Sequence, residues 1–301
     1  MPLLAVVEIM EKKRLAYNAK LFLLTVVATI NLLPIVFIVS NSLMSAGEAE
    51  ARYTSLITAH SSFGVIVGNL HYMDMAFMPQ LISLSGWRYA LVENPANLRF
   101  IWNSIILIIP IVLGQIIVAP LAAYGFERAK AKHKDKLFFA YIILMLLPMQ
   151  ALLVPHFIFA RAVGIDGGYL AIIFPAVFAT FGVFLIRQQM KTFEKELISA
   201  AYIDGANELQ AYLRVVLPNI KPALSALTVL AFAEAWNIVD QAVVFISNRY
   251  ELPMSVHLSA GRIDSMGIVF ALSTFFMIPA LIVFIYGQDG LGKSIGYAGG
   301  R

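Results

Sequence analysis

Long apolar runs punctuate this 301-residue chain and decide what it can fold into. A helix crosses a hydrocarbon layer of about 30 Å in about 20 residues, because each residue rises about 1.5 Å. Runs of that length predict membrane-spanning helices at 21–43, 100–126, 137–160, 167–187 and 266–287. A sixth, 220–247, is interrupted by Glu234 and Asp240 but is otherwise mostly Leu, Val, Ala and Phe. The uncharged stretch 53–73 contains His60, Ser61, Ser62, Asn69 and His71, too polar for a span, and reads as part of an outer loop at 48–97. Sixty per cent hydrophobic and 13% charged residues place the chain in a bilayer rather than in water. The expectation is an all-α membrane protein of one transmembrane domain, 1–301.

The positive-inside rule tests the count and sets the orientation. With both termini in the cytoplasm, the inner segments hold Lys12, Lys13, Arg14 and Lys20, then Arg128, Lys130, Lys132, Lys134 and Lys136. They also hold Arg187, Lys191, Lys195, Arg214 and Lys221, and at the end Lys293 and Arg301. Of the 22 basic residues only Arg52, Arg88, Arg99, Arg161, Arg249 and Arg262 fall outside. A seventh span at 53–73 would turn the strongly basic loops outward, so six helices are predicted. The net charge of +4 reflects this topology rather than nucleic-acid binding. Glu8, Glu11 and Lys12-Lys13-Arg14 precede any long apolar run, so residues 1–20 read as an interfacial, mostly helical lead-in and not a signal peptide. The absence of cysteine excludes disulfides, thiolate metal sites and a cysteine nucleophile.

The inner loop 191–218 carries the most information. It reads as helix, turn, helix, with Asp204 capping the second helix and Gly205 relieving the backbone at the junction. Leu209, Tyr212, Leu213 and Val216 recur at helical spacing and form one apolar stripe, and Pro218 followed by Pro222 closes the element before the fifth span. The stripe alone leaves its burial open: the membrane surface, the chain's own bundle, or a partner protein.

Glu196-Leu197, Ala200-Ala201, Asp204-Gly205-Ala206 and Leu217-Pro218 resemble the EAA loop of binding-protein-dependent ABC importer permeases. Asn103-Ser104, Ala122-Ala123-Tyr124, Pro148, Pro155, Gly164-Ile165-Asp166, Gly182 to Arg187, Trp236-Asn237 and Leu252-Pro253 support the likeness. It covers roughly residues 98–260 and looks like the carbohydrate branch, similar to the smaller permease of the maltose transporter. The resemblance implies a type I ABC importer permease fold in a bacterial inner membrane. It implies a second homologous permease, two ATP-binding cassette subunits and an extracellular sugar-binding protein as partners. The chain itself would be no enzyme and bind no cofactor, ATP and Mg belonging to the partner subunits. Glu196, Ser199, Ala200, Ala201, Asp204, Gly205, Ala206, Leu209, Leu213 and Pro218 would then couple to the ATPase. The glutamate that names the motif falls on Ser199, which leaves docking expected and its polar contacts uncertain; Glu196, three residues upstream on nearly the same face, can share the role.

Gly287 to Ser294 spells the phosphate-loop pattern G-x-x-x-x-G-K-S. That chemistry needs a preceding strand and a following helix whose N-terminus meets the phosphates. Here a predicted span precedes it and only seven residues follow, so no nucleotide site is expected. The resemblance implies instead that the Gly-rich tail 296–301 reaches toward the ATPase.

Charged groups at membrane depth cost roughly 2.5–3.5 kcal/mol and usually face a bundle interior or a cavity. Glu234, Asn237, Asp240 and Gln241 would share one face of the fifth span, beside Trp236. Carboxylates and amides bind sugar hydroxyls and aromatic rings stack on sugar faces, so these five residues are candidates for a substrate path. Interhelical hydrogen bonding is the competing reading. The resemblance places Tyr250, Leu252 and Pro253 in an external loop that meets a binding protein. A membrane-embedded enzyme using Glu234 and Asp240, and an ion-coupled transporter, are the rival classes. The sugar stays open: oligosaccharide, polysaccharide fragment, monosaccharide or glycerol phosphate.

Overall fold

The computed structural model describes residues 2–59, 77–129, 131–191, 195–260 and 265–299, with the side chains of 14–53, 77–129, 131–191, 197–260, 265–292 and 294. The described residues are almost wholly helical. Among the described residues, four helical stretches are long and apolar enough to cross a membrane, and up to six if two bent pairs count as one span each. The chain divides into two compact units, 1–93 with 263–275 and 94–262 with 276–301.

In the first unit, α1 (Pro2–Asn41) makes the predicted lead-in and first span one helix of 40 residues. Its apolar stretch is exposed from Arg14 to Pro34, as suits a lipid-facing helix, and only its last turns, with Phe37, Ile38 and the buried Asn41, pack on the unit. The segment predicted as outer loop contains α2 (Ala46–Ala59) and α3 (Ser85–Arg88), which runs on into one π-helical turn, Tyr89–Glu93. Met44, Ala49, Tyr53 and Phe270 form the unit's buried core. Glu48 accepts from the backbone N–H groups of Gln80 and Leu81 at 2.9 and 3.3 Å, tying α2 to the irregular stretch before α3. Residues 60–76, with His60 and His71, lie outside the described residues.

The second unit is built around α4 (Pro95–Arg128), started by Asn94 capping Ala96 N–H and by Pro95 in the first turn. Around it stand α5 (Lys134–Met145), α6 (Met149–Val163), α7 (Leu170–Val177) and α8 (Thr180–Lys191). Then come α9 (Lys195–Ile203), α10 (Glu208–Ala211), a π turn (Tyr212–Val216) and α11 (Leu217–Asn219). The chain continues through α12 (Lys221–Trp236), α13 (Asp240–Phe245), α14 (Met254–Ser259) and α15 (Met266–Gly299).

Three predicted spans are not single helices. The third is α5 and α6, which meet at 101° where Pro148 lacks an N–H and holds extended dihedrals. The fourth is α7 and α8, interrupted at Phe178 and Ala179 but together covering Leu170–Lys191. The fifth is the 16-residue α12, too short to cross alone, followed by a break at 237–239 and then α13.

Arg187 of α8 is 2% exposed and fastens one end of this unit. Its Nη2 donates to Asp135 of α5 at 2.8 Å, its Nε lies 3.5 Å from Glu127 of α4, and its guanidinium stands 3.9 Å over the Phe138 ring. The three contacts together compensate a charge that burial alone would make costly.

The phosphate-loop lookalike is part of a continuous helix, so its backbone N–H groups are spent within α15. Its glycines serve packing instead. A methyl group at Gly287 would overlap Val229, and one at Gly290 would overlap Ser225, both on α12, whereas Gly292 faces open space. Gly290→Leu is therefore expected to cost about 1–3 kcal/mol through overpacking. Gly292→Leu should be near neutral. Thermal melting of the two variants in detergent checks this contrast.

Candidate functional site

The three interruptions meet at one cavity of about 340 Å³. Leu144, Met145, Leu147 and Met149 reach it from the α5–α6 bend, Phe178, Ala179 and Thr180 from the α7–α8 break, and Ile238 from the break after α12. Irregular backbone at membrane depth is tolerated where it is buried in protein or lines a wet cavity, because each freed peptide group needs a partner. The partners are present. Ser255 Oγ donates to Ile238 O at 2.5 Å, Gln115 Nε2 donates to Ala176 O at 2.9 Å, and Leu146 N–H turns back to Ile143 O at 3.0 Å. Polar side chains in the lining are Gln115, His156, Thr180, Glu234 and Gln241.

A smaller neighbouring cavity of about 210 Å³ is lined by Glu234, Asn237, Asp240 and Gln241 with Met149, Ile238 and Val239. Four of the five predicted path residues are thus brought together, but not as one helix face. α12 ends at Trp236 with Asn237 beyond its last turn, and Asp240 opens α13, where a carboxylate complements the helix N-terminus. Asp240 also accepts from Gln150 Nε2 at 3.3 Å.

Trp236 does not belong with them. It is 4% exposed, its Nε1 donates to Phe276 O at 3.0 Å, and its ring is stacked by Phe232 at 5.1 Å and Phe276 at 4.5 Å. Its indole is occupied inside the bundle, so no sugar can stack on it here; Phe178 and Phe181 are the rings that line the cavity.

Elsewhere on the unit, the loop after α13 is pinned from α4. Asn103 Nδ2 donates to Tyr250 O at 2.8 Å and Leu252 O at 3.1 Å, and Ser104 Oγ accepts from Met254 N–H at 2.9 Å. Tyr169 Oη donates to Glu251 O at 2.7 Å. Pro253 is buried and Leu252 half-buried, while Tyr250 is exposed with Arg99 over its ring at 5.6 Å. Of the three predicted loop residues, Tyr250 faces outward and the other two anchor.

The hairpin 195–219 turns at Gly205, whose φ of +82° an L-residue rarely adopts. Ala206 N–H returns to Ala201 O at 2.9 Å and Gly205 N–H to Tyr202 O at 3.1 Å, a Schellman-type stop for α9. The second helix is capped by Asn207, not Asp204: Asn207 Oδ1 accepts from Gln210 N–H at 2.8 Å, and Gln210 Oε1 accepts from Asn207 N–H at 3.0 Å. With Gly205 ending α9, Asp204 is left in the turn and exposed, three residues short of the cap.

The predicted stripe divides. Tyr212 (7% exposed) and Val216 (2%) join the buried core, while Leu209 (63%) and Leu213 (49%) stay out, beside the exposed Ile203 and Leu197. Ser199, Ala200 and Pro218 are also exposed, Ala201 and Ala206 half-buried, and the Glu196 side chain lies outside the described set. Glu208 fastens the hairpin to α4: Oε1 accepts from Tyr124 Oη at 2.7 Å and Arg128 Nε at 3.3 Å, and Oε2 from Tyr202 Oη at 2.5 Å. These donors hold its carboxyl below the usual carboxylate range, the Tyr202 hydrogen bond first among them. The half-exposed Arg128 pair is worth about 0–1 kcal/mol, whereas hydrogen bonds to a charged group reach roughly 1.5–3 kcal/mol each.

Comparison with known proteins now gives this geometry a context. Residues 115–296 match the family of binding-protein-dependent transport system inner membrane components. The chain belongs to that family. It is accordingly a multi-pass inner-membrane protein. It is 29% identical over 221 residues to the arabinooligosaccharides transport system permease protein AraQ of Halalkalibacterium halodurans, covering 72% of this chain and 78% of the relative. It is 27% identical to the lactose transport system permease protein LacG of Rhizobium radiobacter, over 61% of this chain and 68% of that one. A probable ABC transporter permease of Pyrococcus horikoshii is 31% identical over 60% and 68%. A bacterial ABC transporter involved in the import of the acidic polysaccharide alginate has a chain of the same fold, with a TM-score of 0.73 and 23% identity, covering 92% of this chain and 96% of that one.

Sequence reasoning missed Gln115, His156 and the Glu208 network. Gln115 is one of two amides in an otherwise apolar span, with Asn103, and His156 the one imidazole within a predicted span, so both carried a signal. Glu208 carried none, since its partners Tyr124 and Arg128 are 84 and 80 residues away. For the pinned loop, Asn103→Leu leaves two carbonyls without their donor, a loss of about 1–3 kcal/mol. Local opening should then speed trypsin cleavage after Arg249 about fivefold or more. Unchanged cleavage would show that the loop is held by other contacts.

Proposed function

We propose that this chain is one transmembrane half of an ATP-driven importer of a carbohydrate, most simply an oligosaccharide. The observation that carries this is the hairpin: in a chain of the permease family, it keeps Leu209 and Leu213 exposed at one end of a helical bundle while its other face is fastened down. An apolar face held rigid and uncovered is what a docking partner buries. The printed names of AraQ and LacG support a sugar as cargo, and the cavity supports it chemically. Carboxylate, amide, imidazole and hydroxyl groups there can exchange hydrogen bonds with sugar hydroxyls.

In this reading both termini and the hairpin face the cytoplasm. Two ATP-binding cassette subunits, holding ATP and Mg, grip the hairpin of this chain and that of a second, homologous permease. ATP-driven closure of the cassettes moves the hairpins, and the bundle alternates between outward- and inward-open states. An extracellular sugar-binding protein delivers the cargo and meets the 248–257 loop, where Tyr250 faces outward. The chain itself hydrolyses nothing. Glu234, Asn237, Asp240 and Gln241 belong to the path, joined by Gln115 and His156.

Two measurements test this. An affinity-tagged chain expressed with the products of its neighbouring genes should retain an ATPase through purification; an enzyme or an ion-coupled transporter retains none. The sugar that raises the melting temperature of the cognate binding protein then serves for uptake assays. Glu234→Gln with Asp240→Asn should abolish uptake and leave the ATPase bound. Transport at the unmodified rate in that double variant would remove these residues from the path.

A further inference from the structure

The hairpin is joined to the spans in two ways, and only one of them is the chain itself. Covalently, α11 leads into α12 through Ile220, a 73° bend bracketed by Pro218 and Pro222. A bend of that kind can hinge, so a push on the hairpin need not reach α12 undiminished. The second joint is the Glu208 carboxylate. It gathers Tyr202 of α9 with Tyr124 and Arg128 of α4, and Arg128 Nη2 closes the ring of contacts by donating to Tyr202 Oη at 3.1 Å, its guanidinium 5.2 Å over the Tyr202 ring. Beneath it, the Tyr124 and Tyr212 rings lie 5.2 Å apart in the buried core.

We propose that Glu208 makes the end of α4 part of the hairpin's rigid body, so that α4, and not the chain connection into α12 alone, delivers the hairpin's displacement to the cavity. α4 is suited to this because it stays helical from Pro95 to Arg128, through Pro110 and Pro120, where the other cavity-lining spans leave the helix, and its Ile111 and Gln115 line the cavity. Ile111 stands 13 residues, about 20 Å, along that helix from Tyr124. The other cavity-lining spans are broken at the cavity itself, where a push along the axis is absorbed in the break. Glu208 touches no cargo; it is a positioning residue for the transport cycle. The inference rests on the importer reading above.

The chain has no cysteine, so Ile111→Cys places a single thiol at the cavity. In membranes holding the assembled transporter, the rate at which a small maleimide labels that thiol is measured with and without ATP plus vanadate. With the clasp intact, ATP should change the rate about fivefold or more. Adding Tyr124→Phe with Glu208→Gln should abolish most of that change, while the ATPase still co-purifies and still hydrolyses ATP. Reversing the pair, Arg128→Glu with Glu208→Arg, should recover part of it. A merely structural clamp would instead lower protein yield and ATPase retention together.

Full retention of the ATP-dependent change in the double variant overturns the proposal. So does a labelling rate indifferent to ATP with the clasp intact. If the double variant does not accumulate, Tyr124→Phe alone decides: it keeps the buried ring and removes one hydroxyl, and an undiminished change in it also overturns the proposal. Failure of the unmodified chain to retain any ATPase overturns the importer reading as well; a coupled unmodified chain with indifferent variants overturns the clasp only.

Discussion

Hydrocarbon offers no partner to a peptide group, and the second unit of this chain is organised by that constraint. A span can leave the helix only where something else takes over its hydrogen bonds. At the α7–α8 interruption an amide from α4 reaches the Ala176 carbonyl; after α12 a serine hydroxyl from α14 reaches Ile238. The α5–α6 bend satisfies itself with tight turns back to Ile143 and Leu144. Two of the three interruptions thus draw a polar group from a neighbouring element, and they gather where such neighbours meet. The cavity and the breaks have one cause. Polar side chains that complete the backbone, together with carboxylates that hydrocarbon could not hold cheaply, make a polar cavity in a chain that is otherwise lipid-compatible.

The hairpin shows the opposite economy, since it lies among groups that water could satisfy. Its apolar stripe is shared between two surfaces because a helix fastened along one edge presents only part of its circumference to the bundle. Tyr212 and Val216 go inward with Tyr124, and Leu209 and Leu213, on the adjoining edge, do not. The turn at Gly205 determines which edge is which. By stopping α9 with the backbone in the left-handed region, it hands the next cap to Asn207 and so sets the rotation of everything downstream.

The spans were legible because length and charge are properties of a segment by itself. The bend at Pro148 was not, for its segment reads as one continuous span although the proline lies within it. The break at 237–239 contains no proline or glycine; it is stabilised by Ser255, in a different element, and no window around Asn237 could reveal it. Glu234, Asn237, Asp240 and Gln241 line one cavity even though the chain does not keep the helical spacing by which the sequence grouped them. Trp236 turns away from them because the carbonyl and ring that hold it, those of Phe276, are 40 residues away in the chain. In Gly287 to Ser294 the residue pattern was complete and the context decided against it, since the same glycines that can cradle a phosphate in a loop let two helices approach when they lie in α15.

The serine at position 199 fits this division of labour. If an acid were needed to hold the hairpin together or to the bundle, its absence from α9 would weaken the element. The carboxylate that fastens the hairpin to α4 is Glu208, nine residues on, and the capping is done by Asn207 and Gln210. A partner docking on the exposed edge, as proposed above, would meet chiefly Ile203, Leu209 and Leu213. Burying such side chains is worth about 1.5–3 kcal/mol each, against about 0–1 kcal/mol for an exposed ion pair. Apolar burial can therefore supply most of the grip, and a polar contact at Ser199 would set register more than strength.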